Sequence, residues 1–361
     1  MPLPLIIGVA ALGAAAFGAK KGYDGYQKHS EADEIVKNAE QKYNEHKEVF
    51  EAHEAETTNA FTELGTQELE IGKQFNEFHE LANELLQKLN NASDKRLSVN
   101  IPAHKLQKIE NYSYTAVGVL GTAAGAGIGG VAAGFAVYGG VMTLGAASTG
   151  TAIASLSGAA ATNATLAAIG GGSLATGGLG MAGGTAILGG AVAAPVLAIA
   201  GWAYDKHGEE SLLNARKVRR EVNDAVEKLE ALTKQHVEIQ SYVSKITRAI
   251  DSIYIQFEEY FDSLKAVNRM IKAAQKSGED INDKLNNESM ITDIQNGYAL
   301  AEIIVDIIET PIFKVEKNGD EFVIDENGAP SLQTDEDGFN VINSEEIDIA
   351  INKANFNAAC Y

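Results

Sequence analysis

Cysteine and proline are scarce in this chain, and one long stretch carries no charge of either sign. A single Cys, Cys360, excludes an intrachain disulfide framework and any Cys-rich zinc or iron–sulfur site. Six Pro in 361 residues leave long helices uninterrupted. Lys and Arg number 29 against 49 Asp and Glu, and the net charge of -20 excludes a general binder of nucleic-acid phosphates, which needs a basic face. No nucleic-acid partner is expected.

Catalytic signatures are missing too. The seven His, at 29, 46, 53, 79, 104, 207 and 236, include no pair spaced for a helical zinc site. No P-loop or nucleophile elbow is present. Gly125-Ala-Gly127-Ile-Gly-Gly130 mimics a dinucleotide fingerprint, but the acid that would hold the ribose about 20 residues on is absent, and the next one is Asp205. The reading is of a protein that is not an enzyme and has no metal or cofactor.

What is present is an unusual distribution. Residues 111–204 contain no Lys, Arg, Asp or Glu, and they hold 23 of the 36 Gly. A soluble domain is about one quarter charged, and 18 uncharged apolar residues already suggest a membrane span. Apolar pieces near 115–138, 141–161 and 179–204 are each long enough to cross a core of about 30 Å. They are rich in Ala and Gly more than Leu, which suits a segment that inserts conditionally. Small residues recur at helical spacing in Gly121, Gly125 and Gly129, in Gly130 and Gly134, and in Gly180 and Gly184. Such stripes let helices approach closely in lipid. Trp202 and Tyr204 at one end, with Tyr112 and Tyr114 at the other, are candidate interface anchors.

Charged helices flank this segment. Val218, Val222, Ala225, Leu229, Leu232, His236, Ile239, Val243, Ile246, Ile250, Ile253 and Phe257 follow alternating steps of three and four, the pattern of a long coiled-coil seam. A weaker version runs through Val36, Tyr43, Phe61, Leu64, Ile71, Phe75, Phe78, Ala82 and Leu85, blurred by Gly65 and Gly72. Antiparallel pairing of the two predicts that the uncharged segment leaves and returns at one end, after two or four crossings. His46, His53 and His236 fall on or near the seams, where protonation around pH 6 would loosen the bundle.

The expected organisation is an apolar N-terminal segment over 1–22, a first long helix over 30–110, an uncharged membrane-active head over 111–204, a second long helix over 205–285, and an acidic tail over 286–361. The tail reads as a helix followed by two short strands about Asn318-Gly319, solvated because of its many carboxylates. Asp335-Glu-Asp-Gly338 lacks EF-hand spacing. Residues 3–19 are apolar but lack a basic n-region, so standard secretion is not expected; synthesis in the cytoplasm and association with a membrane when active are.

The block from Ser148 to Gly184, with the start Met1-Pro-Leu-Pro-Leu-Ile-Ile-Gly8, resembles a widespread group of bacterial glycine-zipper proteins that has no agreed activity. In layout, long helices flanking a hydrophobic hairpin, the chain is also similar to α-helical pore-forming toxins of the cytolysin A and haemolysin BL type. That likeness implies a hairpin that inserts and oligomerises. The sequence therefore predicts an elongated, all-α antiparallel bundle with a Gly/Ala-rich head and a small acidic C-terminal hairpin. Its expected partners are a lipid membrane and further copies or related helical subunits. Two other readings remain open: a resident membrane scaffold with a partner-binding coiled coil, and a soluble interaction bundle that buries the head.

Overall fold

The computed structural model describes residues 19–92, 101–123, 132–137, 210–277, 287–319, 321–323, 331–336 and 339–361. They are all-α apart from short extended pieces. Five helices are α1 (Ala19–Ala92), α2 (Ala103–Ala123), α3 (Glu210–Ser277), α4 (Asn287–Ile308) and α5 (Ser344–Ala358). Two-residue strands β1 (Lys317–Asn318) and β2 (Glu321–Phe322) pair antiparallel across a turn where Gly319 takes φ +68°, a left-handed value that favours glycine.

Where the sequence expects one helix over 30–110, there are two. Pro102 precedes α2 and its carbonyl accepts from the Lys105 and Leu106 amides. A proline fits at a helix start because its missing N–H would have had no intrahelical partner there. The second helix then crosses position 110 without interruption and carries the first turns of the uncharged segment.

The chain divides into two compact units, residues 1–50 with 192–231, and residues 51–191 with 232–361. In the first, Ala32, Val36, Ala39 and Tyr43 bury against Ala215, Val218, Val222, Ala225, Val226 and Leu229. Lys42 Nζ donates to Asn223 Oδ1 at 2.9 Å, and His46 Nε2 lies 3.0 Å from Glu230 Oε1.

The second unit holds the larger core. Along it, Thr57 meets His236, Gln67 meets Asp251, Phe75 meets Phe257, and Lys88 meets Asn268. Residue numbers rise together on both helices, so here α1 and α3 run parallel, and Lys42–Asn223 and His46–Glu230 give the same direction within the first unit. This corrects the antiparallel pairing expected from the sequence. A heptad stripe states which face is buried and carries no information on direction. The reversal belongs to α2: Glu110 faces His79, Tyr112 reaches Glu68, and Ala132 reaches Gly65, so the chain runs back down α1. With α1 and α3 parallel, the argument for an even number of crossings no longer applies.

The fourth helix also runs opposite to α1, with Tyr298 against Phe78 and Phe313, just beyond it, against Phe61. Its buried face, including Met290, Ile294, Leu300, Ala301, Ile304 and Val305, belongs to the core. So does α5, through Ile347, Ala354 and Ala358. These parts of the region read as a solvated tail are thus structural. The carboxylates Glu302, Asp306 and Glu309 misled that reading: they form a separate stripe, answered by Lys105, Lys108 and Lys353.

An aromatic cluster ties three helices together. Phe78 of α1 lies 5.2 Å from Phe257 and 5.7 Å from Phe261 of α3, and 5.0 Å from Tyr298 of α4. Gly297 makes room for the Phe78 ring, which a Cβ at that position would overlap. Aromatic pairs at these separations add to their burial energy. Replacing Phe78 by Ala is expected to cost about 3 to 5 kcal/mol, read as a lower denaturation midpoint in urea; a change below about 1 kcal/mol would remove this cluster as the centre of the unit.

Candidate functional site

Polar residues at apolar seam positions are the places where a helical bundle departs from what stability alone requires. Two such departures lie in the second unit. On α1 the steps of three and four run Thr57, Phe61, Leu64, Glu68, Ile71, Phe75, Phe78, and on α3 they run Leu232, His236, Ile239. Thr57, Glu68 and His236 are almost wholly buried, with Glu68 2% and His236 1% exposed.

The first departure is a hydroxyl-centred cluster. Thr57 Oγ1 donates to the His53 carbonyl at 2.8 Å, which uses its one hydrogen. The same oxygen accepts from Gln240 Nε2 at 2.9 Å and lies 3.0 Å from His236 Nδ1. Nδ1 is therefore the donor, and neutral His236 carries its proton there. His53 Nδ1 sits 3.3 Å from Glu56 Oε2 without hydrogen-bond geometry. Burial, and then the nearby His53, lower the His236 pKa from its ordinary 6.5 to about 4. The switch near pH 6 expected from the sequence is thus moved to more acid conditions at this residue, because desolvation disfavours the cation.

The second departure is a glycine-lined seat on α1. Gly65, Glu68 and Gly72 share one helix face at i, i+3 and i+7 spacing. A Cβ at Gly65 would overlap the Ala132 backbone carbonyl, and one at Gly72 would overlap the Ala116 Cβ beside the Tyr112 ring. The two glycines that blur the apolar pattern are thus where the start of the uncharged segment packs closest. Tyr112 Oη donates to the Glu68 backbone carbonyl at 2.5 Å. Burial drives the Glu68 carboxyl well above its ordinary range, and its Oε2 has no hydrogen-bond partner among the described residues.

Around α2 and α4 lies a charge network. Lys108 Nζ is 2.5 Å from Asp306 Oδ1 and 2.6 Å from Glu309 Oε2, and Lys105 Nζ is 2.7 Å from Glu302 Oε2. Burial pulls the Lys108 pKa down, but the bonds to Asp306 and Glu309 outweigh it and leave it raised. At Asp306 burial acts upward, and Lys108 and Lys353 more than reverse it, so its carboxyl titrates below the usual range. A groove of about 660 Å³ opens beside these pairs between Ile101, Pro102, Asp306 and Lys353. Its lysines are already engaged by carboxylates. Among the described residues no three His, Cys, Asp or Glu are grouped to hold a metal ion, and no helix is long and apolar enough to cross a membrane.

The seam residues Val218, Val222, Leu229, Leu232, Ile239, Val243, Ile246, Ile250, Ile253 and Phe257 are all buried. His46 bonds the Lys42 carbonyl through Nδ1 at 2.7 Å. Of the small-residue stripe, Gly121 lies exposed on α2 with open space around it, and Gly134 is buried within helical residues 132–137. Gly125, Gly129, Gly130, Gly180 and Gly184, with Trp202 and Tyr204, lie outside the described residues. Tyr114 is 62% exposed, whereas Tyr112 is fully buried. Its ring lies beside Ala116 over Gly72, where the missing side chain leaves room for both.

The chain matches no protein-family model, no curated protein and no solved structure.

The depressed His236 pKa has a definite sign. Between pH 6.5 and about 4 the unfolded chain binds a proton that the folded unit refuses, so stability falls as pH drops through that window. The expected loss is on the order of 3 kcal/mol. Urea denaturation at pH 7, 5.5 and 4.5 measures it, with His236→Gln as the variant that should lose this part of the acid sensitivity; an identical acid dependence in the variant would exclude His236 as its source.

Proposed function

We propose that the chain is a membrane-perturbing protein of the pore-forming kind, in which the uncharged segment enters a lipid bilayer and assembles with copies of itself. The observation that carries this reading is the absence of Lys, Arg, Asp and Glu from 111 to 204 beside helices that are richly charged. A hydrocarbon layer is the environment in which such a composition costs least.

The packing of the segment's first turns supports conditional entry. Residues of α2 and 132–137 rest on α1 through close contacts at Gly65 and Gly72. The opposite face of α2, through Asn111, Tyr114, Val117, Gly118 and Gly121, is exposed and uncharged. Within lipid, small-residue stripes at Gly121, Gly125 and Gly129 would let neighbouring helices approach closely. The charged helices would remain outside the bilayer, their apolar stripes already buried against one another.

The test is dye release. Purified full-length protein added without detergent to dye-loaded vesicles should cause leakage, and Gly125→Leu with Gly129→Leu should reduce it at least tenfold while far-UV circular dichroism stays unchanged. Leakage at the original level in the double variant would sink the zipper part of the reading. Protein that enters membranes but never releases dye would favour a resident scaffold instead.

A further inference from the structure

The seat at Gly65, Glu68 and Gly72 has an ionisable group where a bundle needs none. Glycines allow close approach, and an apolar residue between them would complete the contact. Glu68 instead puts a carboxyl there, 2% exposed, with Oε2 unpartnered among the described residues. An ionised carboxylate in that position loses its hydration with nothing to replace it, which is among the costliest arrangements in a protein interior.

Among the described residues no cation answers it, and burial is what acts on its carboxyl. From α2 come Tyr112, whose hydroxyl is committed to the Glu68 backbone carbonyl, and Lys108, which is held by Asp306 and Glu309. From α3 comes Asp251, bonded by Gln67, and from just beyond α4 Glu309, which acts on Tyr112 as a second negative charge. On α1 itself Glu70 is paired with Lys73. Residues 132–137 contribute no charge at all.

We propose that Glu68 is a proton-binding site that couples the docking of 112–123 and 132–137 on α1 to pH, docked with the carboxyl neutral and released as it ionises. The coupling follows from balance alone. The docked form holds a proton that the open form, with its carboxyl in water, gives up. Burial raises the carboxyl well above its ordinary value, so docking is favoured in acid and weakens as pH rises. A basic group brought to the seat by a partner would act in the same direction as alkali. The inference extends the proposed membrane function by supplying a control on exposure of the uncharged segment, but docking is measurable with no lipid present.

Hydrogen exchange of the full-length protein between pH 5 and 8.5, corrected for intrinsic rate, reads the docking directly. Peptides covering 112–137 should lose protection by up to about tenfold per pH unit until the docked carboxyl ionises, while peptides of α5 serve as the internal reference. Glu68→Gln, permanently neutral, should hold protection level across the range. Should that variant lose helicity, Glu68→Met asks the same question with an apolar side chain of similar length. Gly65→Ala should raise exchange of 112–137 at every pH and keep the slope. The proposal fails if Glu68→Gln or Glu68→Met retains the slope of the original protein, or if Gly65→Ala leaves exchange unchanged. Because no vesicle enters the measurement, its failure and the failure of the leakage assay are separate results.

Discussion

Covering the apolar stripe of α1 is the constraint on which the rest of the second unit depends. A helix of 74 residues with an apolar stripe along it cannot stand alone in water, since intrinsic propensity contributes little and that face must be buried. Along residues 51–92 that face meets α3 running parallel and α2 and α4 running back. The aromatic rings supply bulk where α1, α3 and α4 meet, at Phe75, Phe78, Phe257, Phe261 and Tyr298. Glycines supply the opposite, at Gly65 and Gly72 for the uncharged segment and at Gly297 for Phe78. Large and small residues therefore divide the interface between them, and charge is confined to the outer pairs.

Two buried ionisable groups act on this arrangement with opposite sign. The neutral form of His236 is favoured by burial, so acid works against the unit. The neutral form of Glu68 is also favoured by burial, but its neutral form is the protonated one, so rising pH works against the contact it sits in. The same physical cause, desolvation, thus penalises falling pH at Thr57–His236 and rising pH at Glu68, further along the same seam. The Lys108 network does not share this behaviour, because its charges answer one another.

The all-α class and the buried faces of α1 and α3 were legible in the sequence, since steps of three and four select one helical face regardless of what covers it. Direction was not legible. Parallel and antiparallel partners present the same stripe, and the decision rests with α2, whose separate existence was signalled only by Pro102. The position of Glu68 was readable as the missing step between Leu64 and Ile71, and Thr57 as the step before Phe61. Both were passed over because polar residues do not register in an apolar pattern. Gly65 and Gly72 looked like defects in the stripe when they are its points of closest contact. The amphipathic face of α4, through Met290, Ile294, Tyr298, Ala301, Ile304, Val305 and Ile308, was legible; that it joins the core was not, because the acidic total after 277 averages two faces that the helix separates.

The hydroxyl of Thr57 has one hydrogen and two lone pairs, and His53, Gln240 and His236 occupy all three. An apolar seam is degenerate: sliding one helix by seven residues past the other restores nearly the same contacts. Sliding it here would strand an imidazole and an amide, while the Thr57 hydroxyl keeps its bond to the His53 carbonyl on its own helix, and each stranded group costs about 1 to 3 kcal/mol. Two cross-helix hydrogen bonds thus help to fix the alignment of α1 and α3 within the second unit, much as a dowel keeps two rails from creeping along each other.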